Sequence, residues 1–339
     1  MAFARVAAMA AVVLVHAYSP FVSTAYTDLG TPTWWVAHVV DAGLRWCVPV
    51  FIMISGALLL RPKDEDVAGF YRKRWARIGV PLVVWTVAYL LWQQWRDGIG
   101  FSDALSQAAS GSPSIHLYFL YVIAGLYLFT PFLRTVVAHT SRTGLWWFTG
   151  AALSLGFVDQ LLGMVDGVGG VTAATRFLPF LGFYLLGWLL TDTGPRDRDL
   201  RNGSAAFVVG TAGTVLGAWA GTVADGEWGS SAEYFYDFLS PPMILGAVGA
   251  FLLLRALGTR LAAKGPGSPV NRVIAVLSGL SFGVYLVHVM VLYTMRDLGP
   301  TPDGALGLTI AAGYAAATAL VSLILVAAAQ RIPLLRSTV

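Results

Sequence analysis

The sequence predicts an all-α, polytopic integral membrane protein, and three observations carry that prediction. Of the 339 residues, 57% are hydrophobic and only 12% charged, with a mean hydropathy of +0.69; soluble domains run closer to half apolar and a quarter charged. The apolar residues also fall in blocks of the length, about 20 residues, that a helix needs to cross about 30 Å of hydrocarbon. Finally, Lys and Arg concentrate in alternate joints between those blocks, the mark of cytoplasmic loops.

Ten blocks qualify as spans, near 3–22, 34–60, 76–95, 114–137, 144–162, 175–191, 204–223, 237–258, 273–295 and 305–329. The first holds "RVAAMAAVVLVHAYSP" behind Arg5. It has a signal peptide's outline, but no small-x-small cleavage site stands out and apolar blocks continue to the C-terminus, so an uncleaved span is expected. The second holds "DAGLRWCVPVFIMISG". There Asp41 and Arg45 are four apart and can pair, Pro49 removes a backbone hydrogen bond and should bend the span, and Ser55 and Gly56 permit close helix contact. The third follows "RPKDEDVAG" and opens on "YRKRWARIGVP", Tyr71 to Pro81. Later joints are marked by Gly, Pro and charge in "TGPRDRD", "AKGPGSP" and "DLGPTPDG". No convincing internal repeat of the transporter kind is visible. A single membrane domain over 1–339, with no fused soluble domain, is the expected organisation.

The joints also set the orientation. Of 22 basic residues, all but Arg45, Arg96, Arg176 and Arg296 fall on one side, including three from Arg196 to Arg201. Both termini are therefore expected in the cytoplasm, and the acidic, aromatic loop "VADGEWGSSAEYFYD" outside. With a net charge of +4 scattered over many joints, the basic residues form no nucleic-acid footprint. Cys47 is the sole cysteine, and no Cys, His or carboxylate grouping has the spacing of a metal site.

Ionisable residues inside a bilayer are costly and tend to face a bundle interior or a wet cavity. Arg5 and His16 are eleven residues apart, about 16 Å and three turns of helix, so one face carries both. Either they form a stripe from the cytoplasmic edge toward mid-membrane, or Arg5 marks the inner end and His16 packs through a hydrogen bond. Arg74 and Arg77, flanked by Arg72 and Lys73, are three apart at the expected cytoplasmic start of the third span. Amide protons and the helix dipole favour a phosphate there, although any inner joint can be this basic. Arg45 is a further candidate for stabilising developing negative charge. His116 in "HLYFLYVIAGLYLFTP" is expected near the outer end of its span, and His288 in "SFGVYLVH" within its span. His38 and His139 are expected at span boundaries and carry no assigned role.

In order along the chain, these segments resemble the membrane-bound acyltransferase family 3, in its short single-domain branch. That group contains cell-surface polysaccharide O-acetyltransferases. The resemblance runs nearly end to end, through the Arg-x10-His pattern at Arg5 and His16, the Arg-x-x-Arg pattern at Arg74 and Arg77, "VPVFIMISG", "HLYFLYVIAGLYLFTP" and "SFGVYLVH". It implies transfer of an acyl group, usually acetyl from acetyl-CoA, to a hydroxyl of a glycan or other small acceptor in the cell envelope. In that picture His16 is the general base, and Arg5 sets its environment or contacts the donor. Arg72, Lys73, Arg74 and Arg77 lie with the CoA phosphates, and Arg45, His116 and His288 line the cavity. An acyl-histidine intermediate is the rival mechanism. The expected partners are acyl-CoA, the acceptor, the lipid bilayer of the plasma membrane and, in a homo-oligomer, a second copy of the chain. A multi-span exporter of a polar or anionic metabolite is the alternative from another class, and a ligand sensor of the same shape a third.

Overall fold

The computed structural model describes residues 1–163, 171–194 and 198–339. Along the chain run α1 (Ala2–Val22), α2 (Pro32–Leu44), α3 (Cys47–Leu59) and α4 (Val67–Arg74), which passes through a π-helical turn (Trp75–Gly79) into α5 (Val80–Asp97). Then come α6 (Phe101–Ser110), α7 (Tyr118–His139), α8 (Arg142–Gly163) and α9 (Leu181–Asp192), followed by α10 (Arg198–Asp225) and α11 (Ser230–Tyr236). The chain closes with α12 (Pro241–Ala262), α13 (Pro269–Leu298), α14 (Gly307–Ala329) and α15 (Pro333–Arg336). The described residues contain no strand. The all-helical membrane fold holds.

Eight runs among the described residues are long and apolar enough to cross a membrane, where ten spans were expected. The block at 144–162 became α8, which is not among the eight, and that at 175–191 became α9. With 12 residues, α9 reaches only about 18 Å at 1.5 Å per residue, short of the hydrocarbon thickness. The basic joint around Arg196 lies outside the described residues. Helix α6 fills a stretch expected to be a joint, ending at Gly111 with φ +70°.

The chain divides into two compact units, one of residues 1–54 and 194–328, the other of 55–193 and 329–339. In the first, α10 and α12 pack most extensively, and glycines are the reason. A Cβ on Gly210 would meet the backbone of Gly246, and one on Gly249 the backbone of Phe207 and Gly203. Without a hydrophobic drive between helices in lipid, such backbone approach supplies the dispersion contact. Helix α1 packs on α2, α12 and α13. Phe21, Val22, Ala37, Ala42, Ala218 and Tyr236 close a buried cluster at its C-terminal end. In the second unit Gly56 of α3 lies against the backbone of Tyr184 in α9, as the small pair Ser55 and Gly56 led one to expect. Tyr184 exchanges a 2.8 Å hydrogen bond with Thr130 of α7.

Three prolines shape the backbone around the candidate residues. In an α-helix the N–H of residue i bonds the carbonyl of i−4, so Pro20, Pro49 and Pro81 withhold a donor from His16, Arg45 and Arg77 in turn. At Pro49 the expected bend is a full break, with Arg45 and Trp46 in a turn between α2 and α3 and the Cys47 Sγ–H 3.8 Å from the Arg45 carbonyl. At Pro81 the helix widens instead, and the Val80 N–H reaches five residues back to Trp75. That turn accommodates the proline ring without ending the helix.

Candidate functional site

Unbroken from Ala2 to Val22, α1 keeps Arg5 and His16 on the spacing expected of them. Both are half-buried. The His16 ring lies 5.3 Å, centroid to centroid, from that of His288, the two planes tilted by 38°. His288 is fully buried. Its Nδ1–H donates to the Tyr285 carbonyl at 2.7 Å, which leaves Nε2 as the lone-pair nitrogen. His288, Arg45 and Arg296 all lie within electrostatic reach of His16. The first unit thus gathers four of the chain's ionisable side chains where few are tolerated.

Arg45 makes the ion pair its spacing suggested. Its Nε and Nη2 donate to the two Asp41 oxygens at 3.1 Å each, and its guanidinium lies 4.3 Å above the Tyr236 ring. Such a fork holds Arg45 in one orientation. Arg45 and Tyr236 line a cavity of about 330 Å³ with Ser19, Trp228, Glu233 and Asp237. Ser19 sits one turn beyond His16, so the cavity approaches the imidazole pair along α1. A second cavity, of about 740 Å³, lies in the other unit. Among the described residues its lining, apart from Asp159 and Thr175, is mainly apolar side chains such as Phe148, Leu155 and Leu162.

His38, given no role by the sequence, is fully buried. It stacks on Trp34 at 4.5 Å and on Tyr236 at 5.6 Å. Its Nε2–H donates to the Val215 carbonyl at 3.0 Å, so Nδ1 accepts the Tyr236 hydroxyl proton at 2.7 Å. This aromatic latch ties α2, α10 and α11 together behind the cavity. The sequence signal was the Trp34-Trp35-x-x-His38 run, in which Trp34 and His38 stand four apart on one helix face. His139 is exposed at the end of α7, as expected.

Arg72, Lys73, Arg74, Arg77 and His116 belong to the second unit. The helix that carries the four basic residues starts at Val67, with the Asp66 carboxylate accepting the Gly69 N–H at 2.8 Å. Arg74 and Arg77 therefore stand well inside it and not at its amide end, so the dipole argument for an anion there fails. Arg74 has a different distinction. Its Nε is buried without a hydrogen-bond partner, while its guanidinium lies 5.1 Å from the Phe70 ring and 5.8 Å from that of Tyr127. A second cation, Arg134, sits 4.9 Å over the same Phe70 ring. Its Nη1 is 3.4 Å from Glu65, which Lys73 meets at 2.8 Å. Arg72, Lys73 and Arg77 are exposed. His116 is buried in the turn before α7, 3.2 Å from the Ser114 hydroxyl and edge-on to Tyr89.

Arg296, one of the four basic residues off the cytoplasmic side in the sequence, reaches α1. One of its terminal nitrogens donates to the carbonyls of His16 and Ala17, at 2.9 Å each. A signal for this existed in Pro20, four residues after His16.

A family model described as an acyltransferase domain matches residues 1–327. No curated protein matches the chain, and no solved structure does.

Proposed function

The chain belongs to the acyltransferase family 3, and we propose that it moves an acyl group, acetyl in the first instance, from cytoplasmic acyl-CoA to a hydroxyl of a glycan or other small acceptor at the plasma membrane. The observation that carries this reading is the His16–His288 ring pair with a cavity beginning one turn away at Ser19. In this reading the acceptor enters that cavity, where Trp228 offers a flat apolar ring and Ser19, Glu233 and Asp237 offer hydrogen-bond acceptors suited to hydroxyls.

His16 takes the proton from the acceptor hydroxyl as its oxygen attacks the thioester carbonyl. Arg45, held by Asp41 in the wall of the cavity, is the group assigned to stabilise the tetrahedral oxyanion. Collapse of that intermediate expels the CoA sulfur, which takes the proton back from His16, so ester and thiol form with no net charge left behind. Arg5 lies about 16 Å from His16 along α1, on the donor side. Arg74 supplies the better-supported phosphate contact: a buried guanidinium nitrogen lacking a partner is a donor held ready for an anion. Arg72, Lys73 and Arg77 add exposed positive charge around it.

The test is acceptor-dependent CoA release by purified protein given acetyl-CoA and a panel of sugars and sugar alcohols. Replacing His16→Ala should cost about 10²- to 10⁴-fold in kcat, the range of a general base. Turnover equal to the parent's would sink the assignment.

A further inference from the structure

We infer that Arg296 is the positioning residue for His16, acting through the backbone gap that Pro20 opens; this rests on the reading of His16 as the base. Pro20 has no N–H, so the carbonyl of His16 has no amide four residues on to bond within the helix. Pro20 stands in the last turn of α1, and a proline there leaves the turn before it, which carries His16, free to kink or rotate. Rotation about α1 at this point would carry the imidazole with it.

Arg296 closes the gap. One terminal nitrogen bridges the His16 and Ala17 carbonyls at 2.9 Å each, and the guanidinium lies 5.9 Å from the rings of both Tyr26 and Tyr293. The bridged carbonyls are consecutive, so the contact fixes the turn's direction as well as satisfying it. Arg296 and His288 also share α13, about two turns apart. That one helix therefore holds His16 at two points: the ring beside His288, 5.3 Å away, and the main chain beneath Arg296. Neither contact depends on the donor, so the arrangement aims the base without binding CoA.

A double-mutant cycle isolates this role, because Pro20→Ala restores the amide that Arg296 replaces. With Pro20 present, Arg296→Ala should lower kcat by about 10- to 100-fold, the cost of a misplaced catalytic group, while leaving the KM for acetyl-CoA unchanged. Arg296→Lys should recover most of the loss, since an ammonium can still donate to both carbonyls. In a Pro20→Ala chain the same Arg296→Ala change should cost less than about threefold, the signature of coupled sites. Equal losses in both backgrounds, or a loss expressed in KM, would overturn the role. So would coupling seen in detergent Tm but not in kcat, which would make the contact purely structural. An inactive His16→Ala with an uncoupled cycle removes this inference alone, whereas a fully active His16→Ala removes the base and the inference together.

Discussion

Arg45 shows how much a single side chain here depends on one partner. Asp41 is fully buried, and its two oxygens accept from Nε and Nη2 along one edge of the guanidinium. Deleting one member of a buried pair leaves an uncompensated charge, at about 3–5 kcal/mol. Asp41→Ala should therefore lower the detergent Tm sharply, whereas Asp41→Leu with Arg45→Met should keep more of the fold and still abolish transfer. Arg74 calls for a different measurement. Replacing it by Gln should raise the KM for acetyl-CoA about tenfold, in line with one lost charge-assisted hydrogen bond, with kcat little changed; steady-state kinetics decide it. Outside the spans, the Lys73 hydrogen bond holds the Glu65 carboxyl below the ordinary carboxylate range, against the opposing effect of burial and with help from Arg134. A depressed folded-state pKa contributes stability above the ordinary value that disappears as pH falls through the folded one. Melting curves from pH 7 down to pH 3 should accordingly show a steeper acid loss for the parent than for Glu65→Gln. Of these residues, Asp41 and Arg45 were legible from spacing alone. The orphaned Arg74 nitrogen was not, because burial of one atom has no sequence signature.

At the scale of elements, prolines and glycines decide where the helices bend and how closely they approach. The same substitution, a proline four residues after a candidate residue, has three outcomes: a bridging arginine at His16, a broken helix at Arg45 and a π turn at Arg77. All three gaps can be read from sequence, since proline's missing N–H is a covalent fact. Their repair cannot, because it depends on which neighbour lies within reach. Close packing of α10 on α12 gives a direct check. Gly210→Ala places a methyl against the Gly246 backbone and should cost about 1–3 kcal/mol as overpacking, read as a lower Tm. Gly150→Ala in α8 meets nothing within 4 Å and should be neutral or gain about 0.5–1 kcal/mol. The expected start of the third span near residue 76 missed Val67 because four charged residues from Lys63 to Asp66 hid an Asp66 cap among ordinary joint residues.

For the whole molecule, the positive-inside asymmetry predicts that the Lys63 joint and the Glu233 loop lie on opposite sides of the membrane. Single cysteines placed at Lys63 and at Glu233 in a Cys47→Ser chain should label with an impermeant maleimide only from the inner and only from the outer face, respectively; labelling from one common face would reverse that expectation. By itself the sequence determined the helical membrane class, the Arg5–His16 spacing, the Asp41–Arg45 pair and the family, because each follows from local periodicity, hydropathy or ordered motifs. Tertiary structure alone decided that His288 faces His16, that His38 is a core latch and that Arg296 closes the gap left by Pro20. Those contacts join segments up to 280 residues apart, and only the packing of α1, α2, α10, α11 and α13 brings such distant side chains within hydrogen-bonding or stacking range.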